Sequence, residues 1–99
     1  MSKSIYLDNQ STTPIDPKVL DAMIPFFVEK FGNASSIHHS YGQESKDAVE
    51  KARSFLANAI NAQKREIIFT SGATEAINLA LKGIVENYTK NKHIITQST

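Results

Sequence analysis

Glu66-Ile67-Ile68-Phe69-Thr70-Ser71-Gly72-Ala73-Thr74-Glu75 is the stretch whose reading decides the fold. Ile67, Ile68 and Phe69 form a short apolar run suited to a buried strand, expected over Glu66 to Thr70. Gly72 follows as a turn residue, and the apolar spacing after it is helical. A strand that turns through glycine into a helix start presents bare backbone N–H groups to an anion. The amides of Ala73 and Thr74 fall in the first helical turn, where no internal acceptor exists. The Thr74 hydroxyl adds a donor. The plainer reading stays open: a simple strand-to-helix turn, with Gly72 present for its dihedrals and Glu75 complementing the helix dipole. No Gly-Lys-Ser/Thr follows, so a nucleotide-hydrolysing P-loop is not expected.

Outward from this turn, the pattern predicts a helix from about Ala73 to Tyr88. Its inward face would be Ile77, Ala80, Leu81, Ile84 and Tyr88. His93-Ile94-Ile95-Thr96 reads as a second strand. Strand, helix, strand in that order implies a parallel α/β unit. Two strands are too few to bury both faces of such a sheet, so the sheet is expected to be incomplete.

Upstream, Asp16-Pro17 signals a helix start, with Asp as cap and Pro at the first helical position. Val19, Leu20, Met23, Phe26 and Phe27 recur at helical spacing, and Pro25 predicts a kink or early end. A clearer helix begins at Ser40, where Ser40 and Gln43 have capping-box spacing. Ala48, Val49, Ala52, Phe55, Leu56, Ala59 and Ile60 form its apolar stripe. It should stop near Asn61, a residue that tolerates the left-handed conformation. The chain thus divides into an extended arm (1–15), a helical segment (16–62) and a strand–helix–strand unit (63–99).

The polar stretch Asp8 to Pro14 reads as a solvated turn cluster, since Asx and Ser/Thr turns use the same residues. His38 and His39 lack a third ligand at metal spacing and read as exposed loop histidines. With 11 Lys and Arg against 10 Asp and Glu, the net charge of +1 gives no case for nucleic acid or an acidic membrane. The 99 residues contain no cysteine, which removes disulfides, thiolate metal sites and thiol nucleophiles together. No apolar run approaches a membrane span and no secretory apolar region is seen, so a cytoplasmic chain is expected.

Four motifs in order resemble one family, the pyridoxal 5'-phosphate (PLP)-dependent cysteine desulfurases of the class V aminotransferase group, closest to the type that feeds iron–sulfur cluster assembly. Tyr6-Leu7-Asp8-Asn9-Gln10-Ser11-Thr12-Thr13-Pro14 with Asp16-Pro17 looks like the family's opening motif. Gly32-Asn33 with Ser36, His39, Tyr41 and Gly42 looks like its next loop. Ile67 to Glu75 with Asn78 and Lys82-Gly83 looks like its cofactor-phosphate turn, and His93-Ile94-Ile95-Thr96 like the strand after it.

The resemblance implies that Ala73 and Thr74 hold the PLP phosphate. It implies the N-terminal part of a fold-type-I large domain, a homodimer with active sites at the subunit interface, L-cysteine as substrate, and an opening arm near substrate and partner. L-alanine and a persulfide would be the products. It also implies what these residues lack. The family's catalytic lysine follows a histidine, and no Lys here directly follows a His. Its persulfide-carrying cysteine has no counterpart, and the histidine stacked on the cofactor ring would come just after Thr99. Ser11 stands where Ala is usual, Ala34 where Pro is usual, Asn61 where Gly often ends the helix, and Ile77 where a polar residue is common. The expectation is a truncated desulfurase-like chain, inactive alone. The alternative is an interaction module, or one half of a split enzyme, that pairs with a desulfurase protomer or scaffold protein.

Overall fold

The computed structural model describes residues 3–88, 90 and 92–98, so the start of the arm and parts of the last unit lie outside the described residues. Three α-helices make up the described structure: α1 (Pro17–Val28), α2 (Ser40–Ala59) and α3 (Ala73–Asn87). A 3-10 turn, Lys64–Glu66, lies between α2 and α3.

Local sequence signals explain most helix ends. Asp16 caps α1, its carboxylate accepting from the Lys18 N–H at 2.8 Å with Pro17 next in line. Pro25 does not end α1, which runs on to Val28. The amides of Glu29 and Lys30 then both donate to the Pro25 carbonyl, at 2.9 and 2.8 Å, and close the helix. α2 ends as Asn61 predicts. Asn61 takes φ 55°, and the chain folds back so that Asn61 N–H reaches the Asn58 carbonyl and Ala62 N–H the Ala57 carbonyl, at 3.3 and 2.8 Å.

The start of α2 corrects the expected capping box. The cap is His39, whose Nδ1 accepts from the Gly42 N–H at 3.1 Å, and Ser40 is the first helical residue. Gln43 turns away to donate to Asp47, at 3.0 Å. A ring nitrogen here does the work usually done by a short hydroxyl or carboxylate.

No strand forms among the described residues, which corrects both expected strands. Glu66 belongs to the 3-10 turn, and Ile67 onward is extended (φ −93°, ψ 119° at Ile67) without a ladder partner. The stretch His93 to Thr96 is likewise unpaired. A strand exists only through a neighbour, and these residues supply none.

The core differs in the same way. Ala57 is the one buried hydrophobic side chain among the described residues, and it lies off the expected α2 stripe. Phe55 and Ile60 of that stripe are 73% and 67% exposed. On α3 the expected inward residues Ile77, Leu81, Ile84 and Tyr88 are exposed too. The accessible surface is 9388 Å², against about 5,600 Å² for a folded monomer of this mass. The radius of gyration is 19.0 Å, where a compact chain of this length has about 13 Å.

What order exists beyond the helices is polar and centred on α2. At its start, Gly32 and Gly42 bring backbones together. A Cβ on Gly42 would stand 1.8 Å from the Ser36 carbonyl oxygen, and one on Gly32 2.2 Å from that of Tyr41. Only glycine permits such approach. The Ser45 hydroxyl donates to the Lys30 carbonyl (3.3 Å), and Lys30 pairs with Glu44 (2.9 Å). Further along, Glu50 and Arg53 hold the 3-10 turn and the segment after it against α2.

Candidate functional site

The turn at residues 70–75 is exposed and is organised by its own side chains. Glu75 reaches back along the first turn of α3. Its carboxylate accepts from the Ser71 N–H at 3.0 Å and the Ser71 hydroxyl at 2.5 Å. These bonds, the hydroxyl's foremost, pull the Glu75 carboxyl below the usual carboxylate range. The Thr70 hydroxyl donates to the Gly72 carbonyl (3.2 Å), which also accepts the first backbone bond of α3, from Ala76 (3.1 Å). Gly72 itself is extended, with φ 165° and ψ −175°.

Unengaged donors remain. Among the described residues no carbonyl or side chain accepts from the amides of Ala73 or Thr74. A Cβ built on Gly72 would meet no atom within 4 Å, so the space over the turn is open. The Thr74 carbonyl is engaged by the Asn78 amide at 2.8 Å, fixing the helix below it. Chemically, the corner offers three N–H groups, those of Ala73 and Thr74 foremost, at the positive end of a 15-residue helix. An anionic group, such as the phosphate end of PLP, fits that donor set. Its ring would need groups that these elements do not bring to the corner.

The other sequence candidates fall elsewhere. The Asp8–Pro14 stretch is a turn closed on itself. The Asp8 carbonyl accepts from Ser11 (3.0 Å), Thr12 (3.4 Å) and the Tyr6 hydroxyl (3.0 Å), and that hydroxyl also meets Thr12 Oγ1 at 2.6 Å. His39 is a helix cap, in edge contact with Tyr41. Among the described residues no group of His, Asp or Glu gathers as a metal site, and no helix is long and apolar enough to cross a membrane.

Two features escape the sequence reading. The Ser71–Glu75 link is one: Glu75 shows as a dipole partner but not as a reciprocal cap. Arg53 is the other. Its spacing from Glu50 (i, i+3) is the only sequence signal for it, and that signal is common on exposed helix faces.

The class V aminotransferase profile matches residues 5–99. A cysteine desulfurase IscS of Rickettsia prowazekii (strain Madrid E) is 60% identical over 93 residues, 93% of this chain and 23% of that protein. The counterpart in Rickettsia massiliae (strain Mtu5) is 59% identical and that in Rickettsia felis (strain ATCC VR-1525 / URRWXCal2) 58%, each over 93 residues, with the same coverage. The chain therefore spans about a quarter of the length of these relatives. With its family profile covering nearly every residue, the chain belongs to the class V aminotransferases.

Proposed function

We propose that these 99 residues are the cofactor-phosphate portion of a cysteine desulfurase of the fold-type-I class, in which Ala73 and Thr74 hold the phosphate of PLP. One observation carries the reading: the Ala73 and Thr74 amides stand unengaged at an exposed helix start, in a chain 60% identical to a cysteine desulfurase. Bound there, PLP would supply the electron sink that makes bonds at the substrate's α-carbon labile. The chain's own part is anchoring. The two amides and the Thr74 hydroxyl fix the phosphate, and the helix dipole favours its charge.

The substrate that goes with this reading is L-cysteine, the setting is iron–sulfur assembly in the cytoplasm, and the functional assembly is a homodimer or a complex with a complementary chain. Sulfur transfer from cysteine needs a nucleophilic thiol. These residues contain no cysteine and no Lys directly after a His, so we propose that they are inert on their own. A second reading, an interaction module that pairs with a desulfurase protomer or scaffold protein, is favoured by the surplus of accessible surface. That surplus is about 3,800 Å² on this chain alone, well above the ~800 Å² per partner of a standard interface.

The purified chain with PLP and L-cysteine should release neither alanine nor sulfide above the rate of free PLP. Co-expression with a chain carrying the remaining parts of a desulfurase should restore both, and a Thr74→Ala substitution in that pair should weaken cofactor retention. Turnover by the 99 residues alone would end the proposal of inertness. Full cofactor retention by the Thr74→Ala pair would remove the hydroxyl's part, and full retention by an Ala73→Pro pair, which lacks one of the two amides, would end the assignment of the site.

A further inference from the structure

Among the described residues, the segment leading to the corner at Ala73 and Thr74 is tied to α2 by the Arg53 side chain. Among the described residues, α2 and the 3-10 turn are the only two elements in substantial contact. Beyond that turn, Arg53 reaches the extended segment leading to the corner. Its Nη1 donates to the Ile67 carbonyl, and its guanidinium lies over the Phe69 ring, 4.8 Å from the centroid. Its Nε donates to Glu50 Oε1 at 3.0 Å, and Glu50 Oε2 meets Lys64 Nζ at 3.5 Å. One guanidinium therefore holds three partners at once: a carboxylate on its own helix, a backbone carbonyl and an aromatic face. Only Thr70 and Ser71 stand between Phe69 and Gly72.

The geometry suits arginine alone. A planar fork can donate in two directions while its face stacks on a ring, whereas an ammonium is a point charge. The Ile67 carbonyl lies in a segment with no ladder partner, so Arg53 gives it the donor a neighbouring strand would otherwise supply. Arg53 is also the least exposed charged group in these ion pairs, at 23%.

We propose that Arg53 is a positioning residue for the phosphate corner: by clamping Ile67 and Phe69 to α2 it fixes where the Ala73 and Thr74 amides point. The inference rests on the reading of that corner as a phosphate site.

The test uses the full 99-residue chain and pyridoxine 5'-phosphate, which has no aldehyde to react with lysines. Binding is read from the Ala73 and Thr74 amide resonances, and helix content from far-ultraviolet ellipticity. Arg53→Ala should weaken binding about tenfold at unchanged ellipticity, and Arg53→Lys at least threefold, because the charge stays and the fork is lost. Ala73→Pro, which deletes one of the two amides at a position where proline suits a helix start, tests the corner separately. Loss of binding in Ala73→Pro with wild-type binding in Arg53→Ala overturns the role of Arg53 and leaves the site standing. Wild-type binding in Arg53→Lys beside weak binding in Arg53→Ala shows that charge alone acts, and also overturns it. Unchanged binding in Ala73→Pro, or none in the wild type, removes the corner and this inference with it. Should Arg53→Ala lose ellipticity, Arg53→Lys decides.

Discussion

α2 and α3 make opposite use of similar material. Both are amphipathic helices with most of their large apolar side chains exposed. α2 is nevertheless tied to its surroundings at its start, middle and end: by the glycine contacts and Ser45, by Arg53, and by the fold-back at Asn61. Among the described residues, the hydrogen bonds of α3 are to itself and its own cap, from Ser71–Glu75, Asn78–Thr74 and Asn87–Gly83. Its apolar face borders Ile68 and Ile94, yet Ile77, Leu79, Leu81 and Ile84 stay exposed. The contrast teaches that polar and backbone contacts can organise one half of a chain whose apolar burial is left to something else. The candidate site lies at the start of α3, next to the segment that Arg53 of α2 contacts.

One substitution made in both helices exposes the difference most sharply. Gly42→Ala places a Cβ against the backbone of Ser36 and Asn33, which cannot swing aside as a side chain can. It should cost roughly 3 kcal/mol or more and lower ellipticity over α2. Gly83→Ala meets nothing within 4 Å and sits inside α3, so it should stabilise that helix by about 1 kcal/mol. Equal effects from the two changes, read by ellipticity and denaturant midpoint, would break the comparison.

The end of α2 gives a smaller effect. Asn61 holds φ 55°, so Asn61→Ala should destabilise the fold-back by about 1 kcal/mol, while Asn61→Gly should be neutral or stabilising. A loss for Gly as large as that for Ala would show that the Asn side chain matters rather than its backbone.

Acid gives the smallest effect. Hydrogen bonds from Ser71 lower the Glu75 carboxyl, and Arg53, with Lys64 assisting, lowers that of Glu50. A depressed carboxyl contributes stability above its unfolded value and loses it as pH falls through the folded one. Both groups are exposed, so each contribution is small. Fraying of α3 at its first turn should appear only in strongly acidic solution, and Glu75→Gln should remove that step. Fraying that persists unchanged in Glu75→Gln would assign it to other groups.

Features set by neighbours in sequence were legible from the sequence. Asp16-Pro17 starts α1, Asn61 ends α2, and Gly72-Ala73-Thr74 opens α3. Features set by distant partners were not. Ile67 to Thr70 has strand composition, but a strand also needs a second backbone, and the pattern of one segment cannot say whether it is present. Apolar spacing on α3 marks a face suited to burial without saying what buries it. Arg53 was invisible because its partners are a carbonyl and a ring 14 and 16 positions on. His39 was read as a loop residue because imidazole is an uncommon helix cap. At the candidate site, the donor amides of the first turn follow from helix geometry alone, while the Ser71–Glu75 link required coordinates.

The most direct test of the central claim is a comparison of pyridoxine 5'-phosphate with unphosphorylated pyridoxine, titrated into the wild-type chain under amide-resolved NMR. The account predicts that the phosphorylated compound moves the Ala73 and Thr74 amides first and furthest, and that pyridoxine leaves them in place. Equal shifts from both compounds, or shifts centred on other amides while Ala73 and Thr74 stay still, would contradict it.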